Sequence, residues 1–370
     1  MQLKVAIVGC GKIADGHVEE IQKMPERACV VAACDRELLI AEQLCMRYGI
    51  PAKYDDFTAL LEREKPDVVH ITTPPQSHLA LTKQSIDAGC HVFVEKPFAM
   101  NLAETREMLD YAEAHRKKVT LGYRTFFDPP ALAMRRLVAE GVIGEPVHLE
   151  SHYGYDLTGQ FGQALISDPN HWVHKLPGKL FHNIIDHLLN KVVEFIPDDE
   201  PEVIVHASSI RPQKFGDSRD LLKDELRLMI HGERVTAFGT FSSHIRPVRE
   251  SLRLYGTKNT AHIDWGMRAV TLEAVGKLPS AIGRLVPPFD MARSYFREGM
   301  RNVWKFAKAD FHYFAGMHTL IARFYDSILH DLPVPYAYRD IIRVSRLLDQ
   351  IFSRIEQGHE TRAFAVGAGR

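Results

Sequence analysis

Short apolar runs alternate with longer segments over the first third of the chain, and the two kinds of segment differ in period. The short runs, rich in Val, Ile and Ala, are typical of buried parallel strands and lie at residues 5–8, 29–34, 52–54, 67–73, 91–94 and 119–122. The longer segments repeat apolar residues every three or four positions and predict helices at 13–24, 37–48, 56–64, 76–88 and 101–115. This alternation predicts an α/β domain with a doubly wound parallel sheet, which binds ligands at the carboxyl ends of its strands.

The pattern changes at residue 123, where strand-like segments begin to follow one another directly. They cover 147–155, 202–210, 225–231, 235–243, 251–255, 261–265 and 269–274, and a helix over 181–195 interrupts them. Several alternate apolar and polar residues, which is typical of antiparallel sheets with one buried face. We therefore predict two domains, 1–122 and 123–370, the second being an α+β domain with a large open, mostly antiparallel sheet.

The open sheet of the second predicted domain bears on quaternary structure. A wide sheet face left in water promotes association with other chains. We therefore expect a second subunit to cover this face, in a homo-oligomer that is a dimer or a tetramer.

Length, composition and charge narrow the class of protein. A chain of 370 residues is long enough for two domains, and 45% hydrophobic with 25% charged residues is typical of a soluble protein. The net charge of −1 argues against a nucleic-acid-binding protein. No apolar run approaches the ~20 residues of a membrane helix, and the first residues lack the pattern of a signal peptide. The five cysteines lack the paired spacing of a zinc site, so we expect free thiols and a cytoplasmic location.

The turn after the first predicted strand carries small residues at the first, third and sixth positions of the dinucleotide-binding pattern, Gly9, Gly11 and Ala14. The first permits a tight turn, the second lets a pyrophosphate approach the backbone, and the third lets the next helix pack close to the sheet. That helix presents unpaired N–H groups and the positive end of its dipole to the phosphates. We therefore predict that these three residues bind a dinucleotide together with Lys12 and Ile13.

An acidic residue, Asp35, follows the second predicted strand. In the general pattern a carboxylate about 20 residues beyond the glycines meets the adenosine ribose. A carboxylate repels a 2′-phosphate, so Asp35 favours NAD. Its neighbour Arg36 is able to pair with that phosphate, so NADP stays possible, and both residues are predicted to contact the cofactor.

Lys96 is the strongest candidate for acid–base chemistry, because it follows the fifth predicted strand on the ligand side of the sheet. Partial burial and a nearby cation lower the basicity of a lysine, which then exchanges a proton with a substrate oxygen. The preceding Glu95 is placed to orient it. The residues alone leave a second interpretation open, in which the two form an ordinary ion pair at the surface.

Several segments together resemble the glucose–fructose oxidoreductase / inositol dehydrogenase (Gfo/Idh/MocA) family. They are the glycine turn, Thr72-Thr73-Pro74 with His78, Glu95-Lys96-Pro97, Gly122-Tyr123-Arg124, and Gly141-Val142-Ile143-Gly144-Glu145-Pro146. The resemblance covers about residues 1–190 by motif and implies a Rossmann domain for NAD or NADP, with Thr73, Pro74, His78, Glu95 and Lys96 at the cofactor. It also implies that Lys96 acts on a hydroxyl group of a sugar or cyclitol, and that subunits associate through the open sheet.

The motif of that family in the second domain is a glycine pair, then Asp, then His four residues later, and this chain departs from it. Counting from the glycine places His182 and Asp186 at these positions, in reversed order. One inserted residue places Asn183 and His187 there instead, and the next polar residue then also fits. Either pair shares one face of the predicted helix. We favour Asn183 and His187 as catalytic residues, with Asp186 orienting a neighbour, and expect His182 to line the substrate site with them.

Histidine suits proton transfer at physiological pH, because its imidazole changes charge close to that pH. His187 is therefore expected to share the proton transfer with the lysine. Three further residues are predicted to bind substrate. His171 and Trp172 offer aromatic faces to a sugar ring, and Arg124 offers a guanidinium to a hydroxyl, phosphate or carboxylate. Core packing for Trp172 and a salt bridge for Arg124 are the alternatives. The metal-binding run of zinc proteases is absent, and we predict no metal.

Three functions are consistent with these residues. The first is an NAD(P)-dependent oxidoreductase that moves a hydride between the nicotinamide and a carbinol carbon of a sugar, cyclitol or nucleotide-linked sugar. The second is a glycoside hydrolase that acts through transient oxidation at C3. The third is an NAD-sensing regulator without catalysis, because a fold alone does not determine a function. Lys96 favours an enzyme, and the altered motif in the second domain slightly favours the regulator.

Overall fold

The computed structural model describes residues 2–210, 222–276, 279, 283–308, 311 and 314–367. The chain divides into two compact units, each with its own sheet. The first unit consists of Met1–Asp128 and Phe314–Ser345, and the second of Pro129–Tyr313 and Arg346–Arg370. The predicted domain boundary after residue 122 lies close to the first change of unit, whereas the return of 314–345 to the first unit was not predicted.

The first unit is built on a six-stranded parallel sheet, as predicted. Its strands are β1 (Leu3–Val8), β2 (Ala28–Cys34), β3 (Ala52–Tyr54), β4 (Val68–Ile71), β5 (His91–Val94) and β6 (Val119–Leu121). They lie in the order β3-β2-β1-β4-β5-β6. The order reverses between β1 and β4, so the carboxyl ends of these two strands form the switch point at which such sheets bind ligands.

Five helices connect these strands. They are α1 (Lys12–Gln22), α2 (Leu38–Tyr48), α3 (Phe57–Glu64), α4 (His78–Asp87) and α5 (Leu102–Ala114). Local sequence determines their ends. Asp56 accepts hydrogen bonds from the N–H groups of Thr58 and Ala59 before α3, and Gly49 closes α2 with a φ of 67°.

A helix from near the end of the chain, α11 (Ala315–Leu329), also belongs to the first unit. The N–H of Gly316 donates to Asp128 Oδ1 over 2.9 Å. Phe324 and Tyr325 are completely buried, and the Phe324 ring lies 6.0 Å from the ring of Phe93 on β5. The core of the parallel sheet therefore includes residues more than 200 positions away from it in sequence.

The second unit contains a seven-stranded sheet, which confirms the predicted open and mostly antiparallel architecture. Its strands are β7 (Pro146–Gly154), β8 (Glu202–Ser208), β9 (Glu225–His231), β10 (Thr236–Ser242), β11 (Glu250–Gly256), β12 (Asn259–Asp264) and β13 (Ala269–Ala274). They lie in the order β13-β12-β11-β7-β10-β9-β8. Only the pair β7 and β10 is parallel among these described strands.

The remaining helices in the part of the chain that is described are α6 (Pro129–Ala139), α7 (Gln160–Ser167), α8 (Leu180–Ile184), α9 (Asp186–Leu189), α10 (Val286–Ala307) and α12 (Tyr338–Gly367). The single helix predicted over 181–195 is wrong in its continuity. It is divided at Ile185 into α8 and α9, and a separate 3-10 turn follows at Val193–Phe195. No helix in the described ranges is both long and apolar enough to cross a membrane.

Gly316 provides a test of the packing of α11. An alanine Cβ at this position would overlap the carbonyl oxygen of Arg124 and the Asp128 carboxylate. We expect Gly316→Ala to lower the free energy of unfolding by about 1–3 kcal/mol, as overpacking usually does. Urea unfolding measures this change.

The matched control is Gly299→Ala in α10, where no described atom lies within 4 Å of the added Cβ. We expect this variant to be as stable as the parent or up to about 1 kcal/mol more stable, because alanine restricts the unfolded chain. Equal stability of the two variants would contradict the close packing of α11.

Candidate functional site

The predicted site residues fall in both units, and most of those in the first unit follow carboxyl ends of parallel strands. β1 ends at Val8, and Gly9 then adopts a φ of +92°. A Cβ on Gly9 would lie 2.6 Å from Thr73 Cγ2 and 2.7 Å from the backbone nitrogen of Thr73. Position 9 therefore requires a glycine for two reasons, the positive φ and the close approach of the turns after β1 and β4.

The amino end of α1 is open. Gly11 is its N-cap, and no described atom lies within 4 Å of the position that a Cβ would take. Lys12 is exposed, Ile13 is half-buried and Ala14 is buried against the sheet. Unpaired N–H groups at a helix start without a side chain over them suit the phosphates of a dinucleotide.

Asp35 lies beside this turn at the end of β2. Its Oδ2 accepts a hydrogen bond from the Cys10 N–H over 2.8 Å, and its Oδ1 accepts one from Glu37 N–H over 3.1 Å. The carboxylate is half-buried, and the adjacent Arg36 is exposed. A carboxylate oxygen accepts more than one hydrogen bond, so both oxygens keep capacity for ribose hydroxyls.

The turn after β4 holds Thr73 and Pro74, which are half-buried and exposed, respectively. His78 follows them and has no exposed surface. Its Nε2 lies 2.8 Å from the Thr73 carbonyl oxygen and its Nδ1 lies 3.0 Å from the Phe98 carbonyl oxygen. Burial lowers the pKa of His78. The ring therefore links the turns after β4 and β5 from inside the fold, which does not suit the direct cofactor contact predicted for it.

Lys96 follows β5 and is half-buried, and its peptide bond to Pro97 is cis. The preceding Glu95 is only 6% exposed. Its Oε2 accepts the backbone N–H of Lys96 over 3.1 Å, and its Oε1 lies 2.9 Å from His17 Nε2. A Cβ on Gly122 would lie 2.7 Å from that same Oε1, so the glycine makes room for the carboxylate. An exposed ion-pair role for Glu95 is therefore excluded by its burial.

Two histidines and a tyrosine behind Glu95 were missed by sequence reasoning. His17, His70 and Tyr325 have no exposed surface, and they continue the hydrogen bonding of Glu95 into the core. Burial lowers the pKa of His70 well below its usual value and raises that of Tyr325 well above its own. The only sequence indication was a histidine inside the apolar strand β4.

Arg124 follows β6 within the first unit. Its guanidinium carbon lies 5.5 Å from the ring centre of Phe314, and Nη1 lies 3.9 Å from Asp128 Oδ2. These contacts hold the side chain over an aromatic face, in a half-buried position. Its predicted contact with substrate stays a prediction.

In the second unit, a strained turn leads into α8. A Cβ on Gly178 would overlap the ring of Phe352. The next residue, Lys179, has a φ of 49° and a ψ of −125°, a conformation that favours glycine. Lys179 therefore adopts a backbone conformation that a glycine would adopt with less strain.

The four candidates on α8 and α9 differ in exposure. His182 is 1% exposed and stacks on Phe352 at 5.3 Å between ring centres, and Asp186 is 3% exposed. Asn183 is 8% exposed, and His187 is half-buried with its ring stacked on Tyr153 at 4.7 Å. The break at Ile185 places the members of each pair on two short helices, and the shared face predicted for them stays a prediction.

His171 and Trp172 lie in an aromatic group of the second unit. Their ring centres are 5.6 Å apart and the rings are stacked, and Phe161 of α7 lies 5.4 Å from His171. Burial lowers the pKa of His171. Both residues are half-buried, so part of each ring is open to a ligand.

Lys191 was also missed. It is 4% exposed, and its Nζ donates to the His152 carbonyl oxygen over 3.1 Å and lies 3.5 Å from Glu250 Oε1. The same Nζ lies 5.5 Å from the ring centre of Tyr153, the residue on which His187 stacks. Burial lowers the pKa of Lys191. In the part of the chain that is described, no three His, Cys, Asp or Glu side chains are grouped to hold a metal ion.

Comparison with known proteins finds relatives of the amino-terminal part of the chain. Residues 3–123 match the model of the oxidoreductase family with an NAD-binding Rossmann fold. D-glucoside 3-dehydrogenase of Escherichia coli (strain K12) is 36% identical over 143 residues, which are 39% of this chain and 41% of that protein. Inositol 2-dehydrogenase of Salmonella paratyphi B (strain ATCC BAA-1250 / SPB7) is 29% identical over 156 residues, 41% of this chain and 46% of that protein.

The chain thus spans less than half the length of these curated relatives in the matched segments. An oxidoreductase from Agrobacterium radiobacter, solved in complex with NAD+, L-tartaric acid and magnesium, superimposes with a TM-score of 0.74. The superposition covers 97% of each chain at 18% identity, which shows a shared fold. Residues 3–123 thus resemble the NAD-binding Rossmann domain of the Gfo/Idh/MocA oxidoreductase family.

Proposed function

We propose that this protein is an NAD-dependent oxidoreductase that acts on a carbinol carbon of a sugar or cyclitol. The observation that carries the proposal is the position of Lys96, just after the carboxyl end of β5, in the sheet whose β1 ends at the open glycine turn. A proton-transferring group and a dinucleotide site on the same edge of one sheet suit hydride chemistry at a hydroxyl-bearing carbon.

The cofactor would lie across the switch point between β1 and β4. Gly11 and the first N–H groups of α1 would hold the pyrophosphate, and Asp35 would bind the adenosine ribose. The carboxylate favours NAD over NADP, although the exposed Arg36 leaves NADP possible. The bound nicotinamide supplies a hydride acceptor or donor.

Lys96 would move the proton of the reaction. In the oxidative direction its neutral amine takes the hydroxyl proton of the substrate, the C–O bond becomes a carbonyl, and the hydrogen on carbon leaves with its electron pair. In the reverse direction the ammonium returns the proton to the oxygen. The hydrogen bond from the Lys96 N–H to Glu95 Oε2 holds the backbone from which this side chain extends.

Asn183 and His187 are the better pair for the second catalytic position. His182 and Asp186 are nearly inaccessible, whereas His187 keeps part of its ring open and rests flat on Tyr153. A ring held in a fixed plane with an accessible edge is suited to hydrogen-bond a substrate hydroxyl or share its proton. His171 and Trp172 of the same unit would contact the rest of the substrate, and the substrate contact of Arg124 stays a prediction.

The names of two relatives support a substrate class for the proposal. One is named a D-glucoside 3-dehydrogenase and another an inositol 2-dehydrogenase, so both names describe oxidation of a ring carbon that carries a hydroxyl group. We propose a pyranoside or a cyclitol for this chain as well. Glycoside hydrolysis through transient C3 oxidation, or cofactor sensing without turnover, remain outcomes of the experiment below.

The first experiment is absorbance at the reduced-nicotinamide band, with NAD or NADP and a panel of glycosides, cyclitols, sugar acids and UDP-sugars. We expect reduction of NAD with one substrate class. Lys96→Ala should lower kcat at least ~100-fold, as the loss of a general acid–base group usually does, and should leave NAD affinity unchanged.

Lys83→Ala is the matched control, because Lys83 is a lysine of the same unit that is half-buried like Lys96 and pairs with Glu107. It should be fully active. Unchanged turnover in Lys96→Ala would remove this residue from the mechanism. Glycoside cleavage without net NADH formation would replace the dehydrogenase by the hydrolase, and cofactor binding without any turnover would favour the sensor.

The glycine turn gives a second test, which separates binding from folding. Gly11→Ala has an allowed φ of −71° and open space around the Cβ, so the protein should fold normally. The methyl group would occupy the path of the pyrophosphate, and we expect NADH affinity to fall about tenfold or more, which is ~1.4 kcal/mol.

Gly9→Ala should instead destabilise the fold itself. Its Cβ would collide with the backbone of Thr73, so we expect a lowered melting temperature even without cofactor. Fluorescence titration with NADH and thermal unfolding of both variants measure the two effects. Normal NADH affinity in a well-folded Gly11→Ala variant would show that the cofactor does not lie at this turn.

The outer face of the seven-stranded sheet supports the proposed homo-oligomer. Ile204, Met229 and Phe238 form one row on adjacent strands, followed on the next strands by Glu150 and Arg253. Ile204 and Phe238 are 54% and 47% exposed. An apolar row beside a pair of opposite charges suits association with a second copy of the same surface.

Phe238→Asp tests this association. A charge in the apolar row should dissociate the oligomer at micromolar concentration, because a desolvated, unpaired carboxylate is costly. Light scattering after size exclusion measures the mass. The control Met46→Asp changes a 79% exposed side chain on α2 and should leave the mass unchanged. A monomeric parent protein would contradict the proposal.

A further inference from the structure

Four buried polar groups form a continuous chain of hydrogen bonds through the core of the first unit. Tyr325 Oη lies 2.9 Å from His70 Nε2, His70 Nδ1 lies 2.8 Å from His17 Nδ1, and His17 Nε2 lies 2.9 Å from Glu95 Oε1. The first three residues are 0% exposed and Glu95 is 6% exposed. These residues come from α11, β4, α1 and the end of β5, so no local sequence pattern could have indicated the chain.

The tyrosine end determines the direction of the hydrogen bonds. Among the described residues, the Tyr325 hydroxyl has one hydrogen-bond partner, His70 Nε2. A buried hydroxyl hydrogen without an acceptor is costly, so the hydroxyl donates to that nitrogen. His70 must then carry its proton on Nδ1 and donate it to His17 Nδ1.

The carboxylate end requires the same direction. Glu95 Oε2 accepts from the Lys96 N–H, and an ionised carboxylate only accepts, so His17 must donate from Nε2 to Oε1. His17 Nδ1 is then free of hydrogen and accepts from His70. A second proton on His17, or a proton on Glu95 Oε1, would reverse both hydrogen bonds of His70, and a second proton on His70 would reverse its bond to Tyr325. Each of these changes would leave the Tyr325 hydrogen without an acceptor.

We propose that Tyr325, His70 and His17 form a directed hydrogen-bond relay that ends on ionised Glu95 and positions the backbone of Lys96. Phe93 fixes the rings, since it stacks on His70 at 4.6 Å and meets His17 edge-on at 5.1 Å. The relay donates to one oxygen of Glu95, and the other oxygen holds the Lys96 N–H. The three relay residues are therefore positioning residues for Lys96, and this part of the inference rests on the proposed function.

The relay predicts that substitutions of Glu95 and Tyr325 have coupled effects on stability, although these two residues share no hydrogen bond. In Glu95→Gln, one carboxylate oxygen is replaced by an NH2 group, which donates and does not accept. The amide therefore cannot accept from both the Lys96 N–H and His17, and one hydrogen bond is lost. In Tyr325→Phe, His70 Nε2 loses its donor. In the double variant the relay can reverse as a unit, so a single unsatisfied group remains instead of two.

The experiment is a double-mutant cycle by urea unfolding. We expect the double variant to lose less stability than the sum of the two single variants. The difference should be about a factor of ten in the equilibrium constant of unfolding. Tyr338→Phe with Glu95→Gln is the control cycle. Tyr338 Oη accepts the Val119 N–H over 3.0 Å elsewhere in the unit, so those two changes should be additive. Additivity in both cycles would overturn the relay.

Nitrogen-15 NMR of the full-length protein reads the tautomers directly, because protonated and unprotonated imidazole nitrogens resonate far apart. We expect Nε2–H on His17 and Nδ1–H on His70 in the parent protein and in Tyr325→Phe. Both tautomers should invert in the double variant. An imidazolium at either position, or unchanged tautomers in the double variant, would contradict the proposal.

Turnover then tests the link to Lys96. Tyr325→Phe should lower kcat about two- to tenfold, because it loosens the support of Lys96, the proton-transferring residue. KM and NAD affinity should be unchanged, because no contact with substrate or cofactor is removed. Tyr338→Phe should retain the parent kcat. Unchanged kcat in Tyr325→Phe with the expected tautomers would overturn the positioning role. If the parent protein lacks turnover, the proposed function fails, while the unfolding cycle and the tautomers still decide the relay.

Discussion

A carboxylate buried at the end of a parallel strand needs hydrogen-bond donors, and in this protein the surroundings of Glu95 are arranged around that need. His17 Nε2 lies 2.9 Å from Oε1 of Glu95, and the Lys96 N–H donates to Oε2. Gly122 leaves the space that the carboxylate fills, because a Cβ there would collide with it. An unpaired buried carboxylate would be too costly to retain, so the position of Lys96 depends on these contacts.

The neighbouring turns are held by the same kind of interior bonding. His78 connects the carbonyl oxygens of Thr73 and Phe98, and Thr73 in turn packs against the backbone of Gly9. The residues at the switch point are thus supported from the core rather than from the surface. Such support favours a preorganised site, because each side chain at the edge begins from a backbone that is already fixed.

The second unit uses aromatic packing instead. His187 rests on Tyr153, and the ammonium of the buried Lys191 lies 5.5 Å from the centre of the Tyr153 ring and 5.0 Å from that of Trp265. Stacking fixes the plane of an imidazole. His187 is half-buried, so part of its ring is exposed, although its neighbours differ from the glycine-Asp-His motif.

Periodicity and local turn chemistry were sufficient to predict the parallel sheet, the strands of the open sheet and the glycine turn, because apolar spacing, glycines and caps act over a few residues. The candidate residues Lys96 and Asp35 could likewise be found from their positions at strand ends. Only the tertiary structure could bring α11 back to the first unit, break the helix at Ile185, and join Tyr325 to Glu95 through two histidines. Those features depend on contacts between distant segments and on the cost of leaving buried polar groups unpaired, and neither is written in a local pattern.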